Sequence, residues 1–180
     1  MSVAVISHIP IDQIESRSKK TAISTGGPPS YCGLTAKELG FDVRLATKIG
    51  LDFPDEFKRL LAERGVRIPR RCVSTSSPST RFKLVLKDDG RDLFLLARCD
   101  DITLEDIELD ADACVVSPII NEVQKDVLAE IPKHADFVFL DPQGFLRRVG
   151  EDQRIYIART EMNLRKAGIS AIKVDDEEAT

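Results

Sequence analysis

Tryptophan is absent from these 180 residues, and histidine and tyrosine occur only twice each. With aromatics at 6% of the chain, there is no aromatic platform of the kind that stacks nucleic-acid bases. Cysteine is also sparse. Cys32, Cys72, Cys99 and Cys114 are widely spaced and contain no C-x-x-C, and His8 and His134 stand at no metal-ligand distance from them in sequence. Four separate thiols of this kind are expected to be small buried groups in a reducing compartment rather than a disulfide frame or a zinc site. Positive charge is not in excess: 26 Lys and Arg against 30 Asp and Glu give a net charge of −4. No global field favours nucleic acid or an anionic membrane, so neither is expected as a partner. No run approaches the roughly 18 apolar residues of a membrane span, and the opening apolar run is too short for a secretory signal. The expectation is a soluble, cytoplasmic chain.

Apolar residues make up 42% of the sequence, enough for a substantial core, and the 31% that are charged mix both signs along the chain. The length suits one large α/β domain, or one domain with a small appendage. Val3-Ala-Val-Ile6 reads as a strand buried on both faces. Residues 13–25 are polar and fit a short exposed hairpin. Gly26-Gly-Pro-Pro29 introduces a helix, since Pro suits a first helical turn, and Leu39-Gly40 closes it. Phe41–Thr47 is a strand. Pro54–Arg64 carries Phe57, Leu60 and Leu61 at helical spacing. At residue 70 the character changes. Two alternating segments, 81–86 and 92–97, flank Lys87-Asp-Asp-Gly-Arg91, a strong hairpin signal. The α/β rhythm then resumes with strands at 113–116, 136–140 and 169–174 and a helix over 122–131. Residues 143–168 are poorly patterned, with a helix expected near 162–167. Strands alternating with helices predict a mostly parallel sheet covered on both faces. Ligands on such sheets bind beyond the carboxyl ends of the strands, where Asp12, Gly26, Gly27, Gly50, Asp52, Ser117, Asp141 and Asp175 fall.

In this order and spacing the motifs resemble the PfkB/ribokinase family of carbohydrate and nucleoside kinases. Ile9-Pro-Ile-Asp12 is similar to the motif whose Asp holds substrate hydroxyls. Gly26-Gly27 through Asp52 is similar to the family's N-terminal signature. The segments 13–25 and 80–98 resemble the β lid that covers the sugar and often clasps a second subunit. Phe139-Leu-Asp-Pro-Gln-Gly-Phe-Leu-Arg147 resembles the D-P-x-x-R region, and Lys173–Glu178 the N-x-x-E motif near the magnesium–phosphate site. The wording is nearest the archaeal branch that includes inositol-kinase-like proteins. There are departures. Tyr31 stands where many members have Asn, Ser7 replaces a common Gly, and Asp175 replaces the Asn of N-x-x-E. An aromatic at 31 leaves the substrate class open.

The resemblance implies a ribokinase-like three-layer αβα fold with a small antiparallel β lid, of which residues 1–180 would be the N-terminal part. It implies ATP-dependent phosphorylation of a sugar or polyol hydroxyl, with Mg2+ as the metal and a homodimer formed through the lid. Members carry a G-A-G-D-like motif whose backbone N–H groups form an anion hole and whose Asp is the general base. No match to it occurs in this chain, so no catalytic base is assigned and the chain alone is expected to show little or no turnover. Substrate contacts are expected from Asp12, Gly26, Gly27, Tyr31, Asp52 and Arg147, and metal contacts from Asp175 and Glu178. The residues themselves leave alternatives: Asp52 as the cap of the following helix, Asp141 and Arg147 as an internal ion pair, and Asp175–Glu178 as an acidic helix start. At the level of function the alternatives are a non-catalytic sugar-binding or dimerising module and a nucleoside kinase.

Overall fold

The structure is a computed structural model that describes residues 1–108, 110–162, 167–176, 178 and 179. In chain order the strands are β1 (Ser2–Ile6), β2 (Ile11–Glu15), β3 (Thr21–Thr25), β4 (Asp42–Ala46), β5 (Ile49–Gly50), β6 (Val73–Ser74), β7 (Arg81–Lys87), β8 (Gly90–Ala97), β9 (Ala113–Val116), β10 (Phe137–Leu140), β11 (Arg147–Val149), β12 (Ile155–Ile157) and β13 (Ala171–Ile172). The α-helices are α1 (Leu34–Glu38), α2 (Asp55–Glu63), α3 (Lys125–Glu130) and α4 (Gln143–Leu146).

Five strands form the central sheet in the order β13-β10-β9-β1-β4, and every pairing is parallel. The two-residue period of a strand sorts β1 between two cores. Val3 and Val5 face one side, against Leu45, Leu61 and Val66 with Leu34 and Phe57 of the helices. Ala4 and Ile6 face the other, against Val116, Val127, Leu128, Ile131 and Leu140. Both faces are therefore covered, which is why β1 reads as a continuous apolar run. Beginning α2, Asp55 and Glu56 lie in the first turn, where the helix dipole favours acidic groups. The first helical segment begins as a wide π-type turn over Pro29–Gly33 before α1, and Gly40, at φ 87°, ends it.

A second sheet has the order β3-β2-β7-β8. Two antiparallel hairpins, β2–β3 and β7–β8, are joined by a parallel β2–β7 pairing. Its first strand starts at Ile11, two residues before the expected segment, so Asp12 belongs to the sheet. Between β11 and β12 there is a further antiparallel hairpin that the sequence pattern did not announce, because its strands have three residues each. It leans on β8 through the Phe94–Arg154 bridge and the Leu95 N–H to Gln153 carbonyl bond of 2.9 Å. The last expected strand, over 169–174, shortens to Ala171–Ile172. Most of the helix expected near 162–167 lies outside the described residues. No helix among the described residues is long and apolar enough to cross a membrane.

Candidate functional site

One face of the second sheet looks onto the ends of the parallel strands. Residues two apart share a face, so Asp12 and Ile14 of β2, Phe82, Leu84 and Leu86 of β7, and Arg91 and Leu93 of β8 all point the same way. The register confirms it, pairing Asp12 with Phe82, Ile14 with Leu84, Leu84 with Leu93 and Leu86 with Arg91. These side chains form one wall of a cleft of about 570 Å³. The opposite side comes from the main domain: Gly27 and Pro28, Tyr31 and Cys32 of the π-type turn, Ser117 and Ile119 after β9, and Asp141, Gln143 and Arg147 after β10. The wall is mostly apolar, and the polar groups are few and converge from separate elements, as in small-molecule sites.

Asp12 is the one carboxylate on the second-sheet wall. Burial pushes its pKa from 3.8 up to about 6, against the opposing pull of Arg91 and Arg147. Gly26 packs against it so closely that a Cβ there would collide with Asp12 Oδ2. Gly27 has φ 78°, and a Cβ would sit 2.6 Å from Pro10 Cδ and 2.8 Å from the His8 carbonyl oxygen. The two glycines therefore let the chain turn from β3 into the π-type turn without displacing the carboxylate. Tyr31 is exposed at the cleft, and Cys32 beside it stays a thiol, its pKa raised by burial and by Asp141.

Behind the cleft lies a buried polar knot. Glu122, with no exposed surface, accepts the backbone N–H groups of Ile119 (2.7 Å), Ile120 (2.6 Å) and His8 (3.2 Å), and the Ser7 hydroxyl at 3.4 Å. It ties the end of β1 to the loop after β9. His8 is fully buried as well. Its Nδ1 lies 2.8 Å from Thr80 Oγ1 and its Nε2 2.9 Å from the Asp100 carbonyl. The carbonyl can only accept, so Nε2 carries the proton and Nδ1 accepts from Thr80. Burial lowers the His8 pKa, which favours this neutral form. Thr80 immediately precedes β7, so His8 fixes where the second sheet leaves the domain.

Arg147 donates from Nη1 to the Ile119 carbonyl at 2.9 Å, and Asn121 Nδ2 donates to the Arg147 carbonyl at 2.8 Å. No ion pair joins Arg147 to Asp141; that carboxylate accepts the Gln143 N–H and stands 3.6 Å from Lys173 Nζ. Asp52 is not part of the cleft. Its Oδ1 accepts from Ser79 N (2.7 Å) and Ser79 Oγ (2.9 Å), and its Oδ2 accepts from Arg81 (2.7 Å). Burial alone would raise its pKa, but these donors outweigh it and hold the carboxyl below its usual range. Nor does Asp52 cap α2, whose N-cap position is Pro54 and which has no side-chain cap. Asp175 and Glu178 exchange backbone bonds, the Asp175 N–H donating to Glu178 Oε2 at 3.0 Å and the Glu178 N–H to Asp175 Oδ1 at 2.9 Å. They line a second, polar cavity of about 330 Å³ together with Arg154 and Lys173. Among the described residues no cluster of three or more His, Cys, Asp or Glu could hold a metal.

Of the residues expected from sequence, Asp12, Gly27, Tyr31 and Arg147 meet at the cleft, with Gly26 directly behind Asp12. Arg91, Gln143, the apolar wall and the Glu122 knot went unread. The alternation of β7 and β8 was visible, but nothing local says which face is turned inward.

No protein-family model matches the chain, and no curated protein sequence does either. Solved structures do. A pyrophosphate-dependent kinase in the ribokinase family, solved with sulfate, superposes with a TM-score of 0.74 at 24% identity, over 86% of this chain and 55% of its own. The chain has a ribokinase-like fold. A pyrophosphate-dependent myo-inositol-1 kinase, converted into a myo-inositol-3 kinase, gives a TM-score of 0.77 at 23% identity over 98% of this chain and 60% of that one. Ribokinase from Thermotoga maritima gives 0.62 at 18% identity, over 79% and 52%. The ribokinase-like chain thus spans a little over half the length of these structures.

Proposed function

We propose that this chain carries the acceptor-binding half of a carbohydrate or polyol kinase. The observation that supports this most is the cleft itself. It has an apolar wall, the Asp12 carboxylate set within that wall, and convergent polar groups at the carboxyl ends of parallel strands. A polyol has hydroxyls to donate and a C–H surface to bury. Asp12, ionised, accepts two hydroxyl hydrogen bonds, while Ile14, Phe82, Leu84 and Leu93 cover the ring and exclude water, and Tyr31 flanks it. Closure of the second sheet as a lid over the bound acceptor would keep water from the transferring phosphoryl group.

ATP with Mg2+ is the donor that the family resemblance implies. Asp175 and Glu178 each give one oxygen to the other's backbone and keep one. Two such oxygens suit a magnesium that retains water and takes its other ligands from phosphates. Inorganic pyrophosphate is the second reading of the donor, favoured by the pyrophosphate-dependent kinases among the structural neighbours. Pairing of two copies through the lid would use the open edge of β3, where Ile23 is exposed.

Calorimetry with a panel of sugars, polyols and nucleosides tests the reading. Saturable binding of a polyol or sugar, lost in Asp12→Ala, is expected. Tight binding of a nucleoside in its place would move the assignment to a nucleoside kinase. Because the sequence holds no match to the family's base-bearing motif, a coupled assay with ATP or pyrophosphate should show little turnover by these 180 residues. Robust turnover would overturn that part. Sedimentation decides the dimer.

A further inference from the structure

His8 does not line the cleft, yet its ring bears on the residue that does. It lies between the two legs of the β7–β8 hairpin. Nδ1 stands 2.8 Å from the Thr80 hydroxyl, just before β7, and Nε2 2.9 Å from the Asp100 carbonyl, past the end of β8. Thr80 also holds the segment that carries the Asp12 carboxylate. Its carbonyl accepts the N–H of Ile11, the residue before Asp12, at 2.8 Å. Thr80 therefore meets both ends of the stretch 8–12, with its side chain at His8 and its main chain at Ile11. The same stretch is pinned from the glycine turn. Gly26 donates its N–H to the Pro10 carbonyl at 3.1 Å, and a Cβ on Gly27 would stand 2.8 Å from the His8 carbonyl oxygen.

The Thr80 hydroxyl is fully spent in this arrangement. It gives its single proton to Nδ1 and accepts the Cys99 N–H at 3.0 Å. His8 and Thr80 have no exposed surface and Cys99 has 1%, so no water replaces a lost partner. A proton on Nδ1 would make Thr80 an acceptor twice over and strand its own proton. The network and the burial thus oppose an imidazolium together. Of the charged groups around the ring, Glu122 and Asp101 favour it and Arg98 opposes it. Arg98 is paired with Asp101, and Glu122 already accepts three backbone N–H groups. The Asp100 carboxylate is engaged by Ser74, Ser76 and Ser77, and Cys99 stays a thiol.

We infer that neutral His8 is a positioning residue for the acceptor carboxylate: through the Thr80 hydroxyl it fixes the backbone of Ile11, and with it the place of Asp12 in the cleft wall. The inference rests on the acceptor reading above and adds to it the pair that sets its central side chain. His8 acts through Asp12 and not on the ligand.

The test compares Thr80→Val, which keeps the shape and removes the hydroxyl, with Thr80→Ser, which keeps the hydroxyl. Each is read by NMR titration of the Asp12 carboxyl and by calorimetry with myo-inositol and ribose as probes. In Thr80→Val the Asp12 midpoint should fall from about 6 toward 3.8 as the carboxylate loosens into water. The Kd of the probe that binds should rise by about tenfold. Thr80→Ser should match the unaltered chain in both readouts. Leu128→Ala, which opens a cavity in the core on the other face of the sheet from Ile9 and Ile11, should cost stability and leave midpoint and Kd unchanged. An unmoved Asp12 midpoint in folded Thr80→Val overturns the inference, as does a midpoint that moves equally in Leu128→Ala. Should Thr80→Val not fold, the unaltered chain decides. Imidazole nitrogen NMR that finds the His8 proton on Nε2 and the ring neutral at a pH of about 6 supports the inference, and a ring charged there like an exposed imidazole overturns it. If the midpoint moves as expected while neither probe binds the unaltered chain, the positioning of Asp12 stands and the acceptor reading falls.

Discussion

Glu122 and His8, 114 residues apart in sequence, meet where two neighbouring core strands end: the Glu122 carboxylate accepts the His8 backbone N–H at 3.2 Å. The same carboxylate satisfies two N–H groups of the loop after β9. One acid thereby holds the floor of the cleft and the root of the second sheet in register.

Replacing that acid should be severe. Glu122→Ala strands three buried N–H groups, each of which loses its acceptor without gaining water. A loss of about 3 kcal/mol or more is expected, read from urea denaturation. A loss below about 1 kcal/mol would mean that water enters the loop and replaces the carboxylate.

Gly26→Ala tests the placing of Asp12. The added methyl meets the end of a side chain rather than backbone, so Asp12 can turn away, and the stability cost should stay near 1 kcal/mol. Polyol affinity should fall by about tenfold or more as the acceptor carboxylate leaves the cleft. Unchanged affinity would show that Asp12 does not touch the ligand.

Asp12 also makes a pH prediction. Its folded pKa of about 6 exceeds the ordinary 3.8. The fold therefore binds the proton more tightly than the unfolded chain does. The stabilisation is fully present below about pH 4 and is lost as pH rises through 6. Allowing for the part of the group that faces water, the change is about 1–2 kcal/mol. Stability of Asp12→Asn should lack this slope between pH 4 and 7. Polyol binding runs the opposite way, strengthening as pH rises through about 6, because only the carboxylate accepts two hydroxyls. A pH-independent polyol Kd in that window would rule out ionised Asp12 as the acceptor.

Asp52→Ala separates a structural acid from a binding one. Loss of the Ser79 and Arg81 bonds should cost about 1–2 kcal/mol, while the polyol Kd stays the same. A large rise in Kd with intact stability would place Asp52 in contact with the ligand.

How much of this was legible depends on the range of the interaction. The alternation of Arg81–Leu86 and Asp92–Ala97 around Asp89-Gly90 announces a hairpin, because period and turn chemistry are local. Val3–Ile6 announces a strand buried on both faces for the same reason. The β11–β12 hairpin escaped notice because three-residue strands are too short for a period, and their partner β8 is more than fifty residues away. Asp52 is ambiguous in sequence, because an Asp two residues before Pro54 is equally suited to a cap, a ligand or a distant serine.

By itself the sequence determined the parallel core, the two hairpins and the presence of Asp12 near a strand end, since periodicity, turn residues and glycines act over a few residues. Only the tertiary structure decided which face of the second sheet closes the cleft, that Asp52 goes to Ser79 and Arg81, that Glu122 knots β1 to β9, and that Arg91 and Arg147 converge. Those outcomes depend on how elements far apart in the chain pack, and a buried charge finds its donors only once the packing has chosen its neighbours.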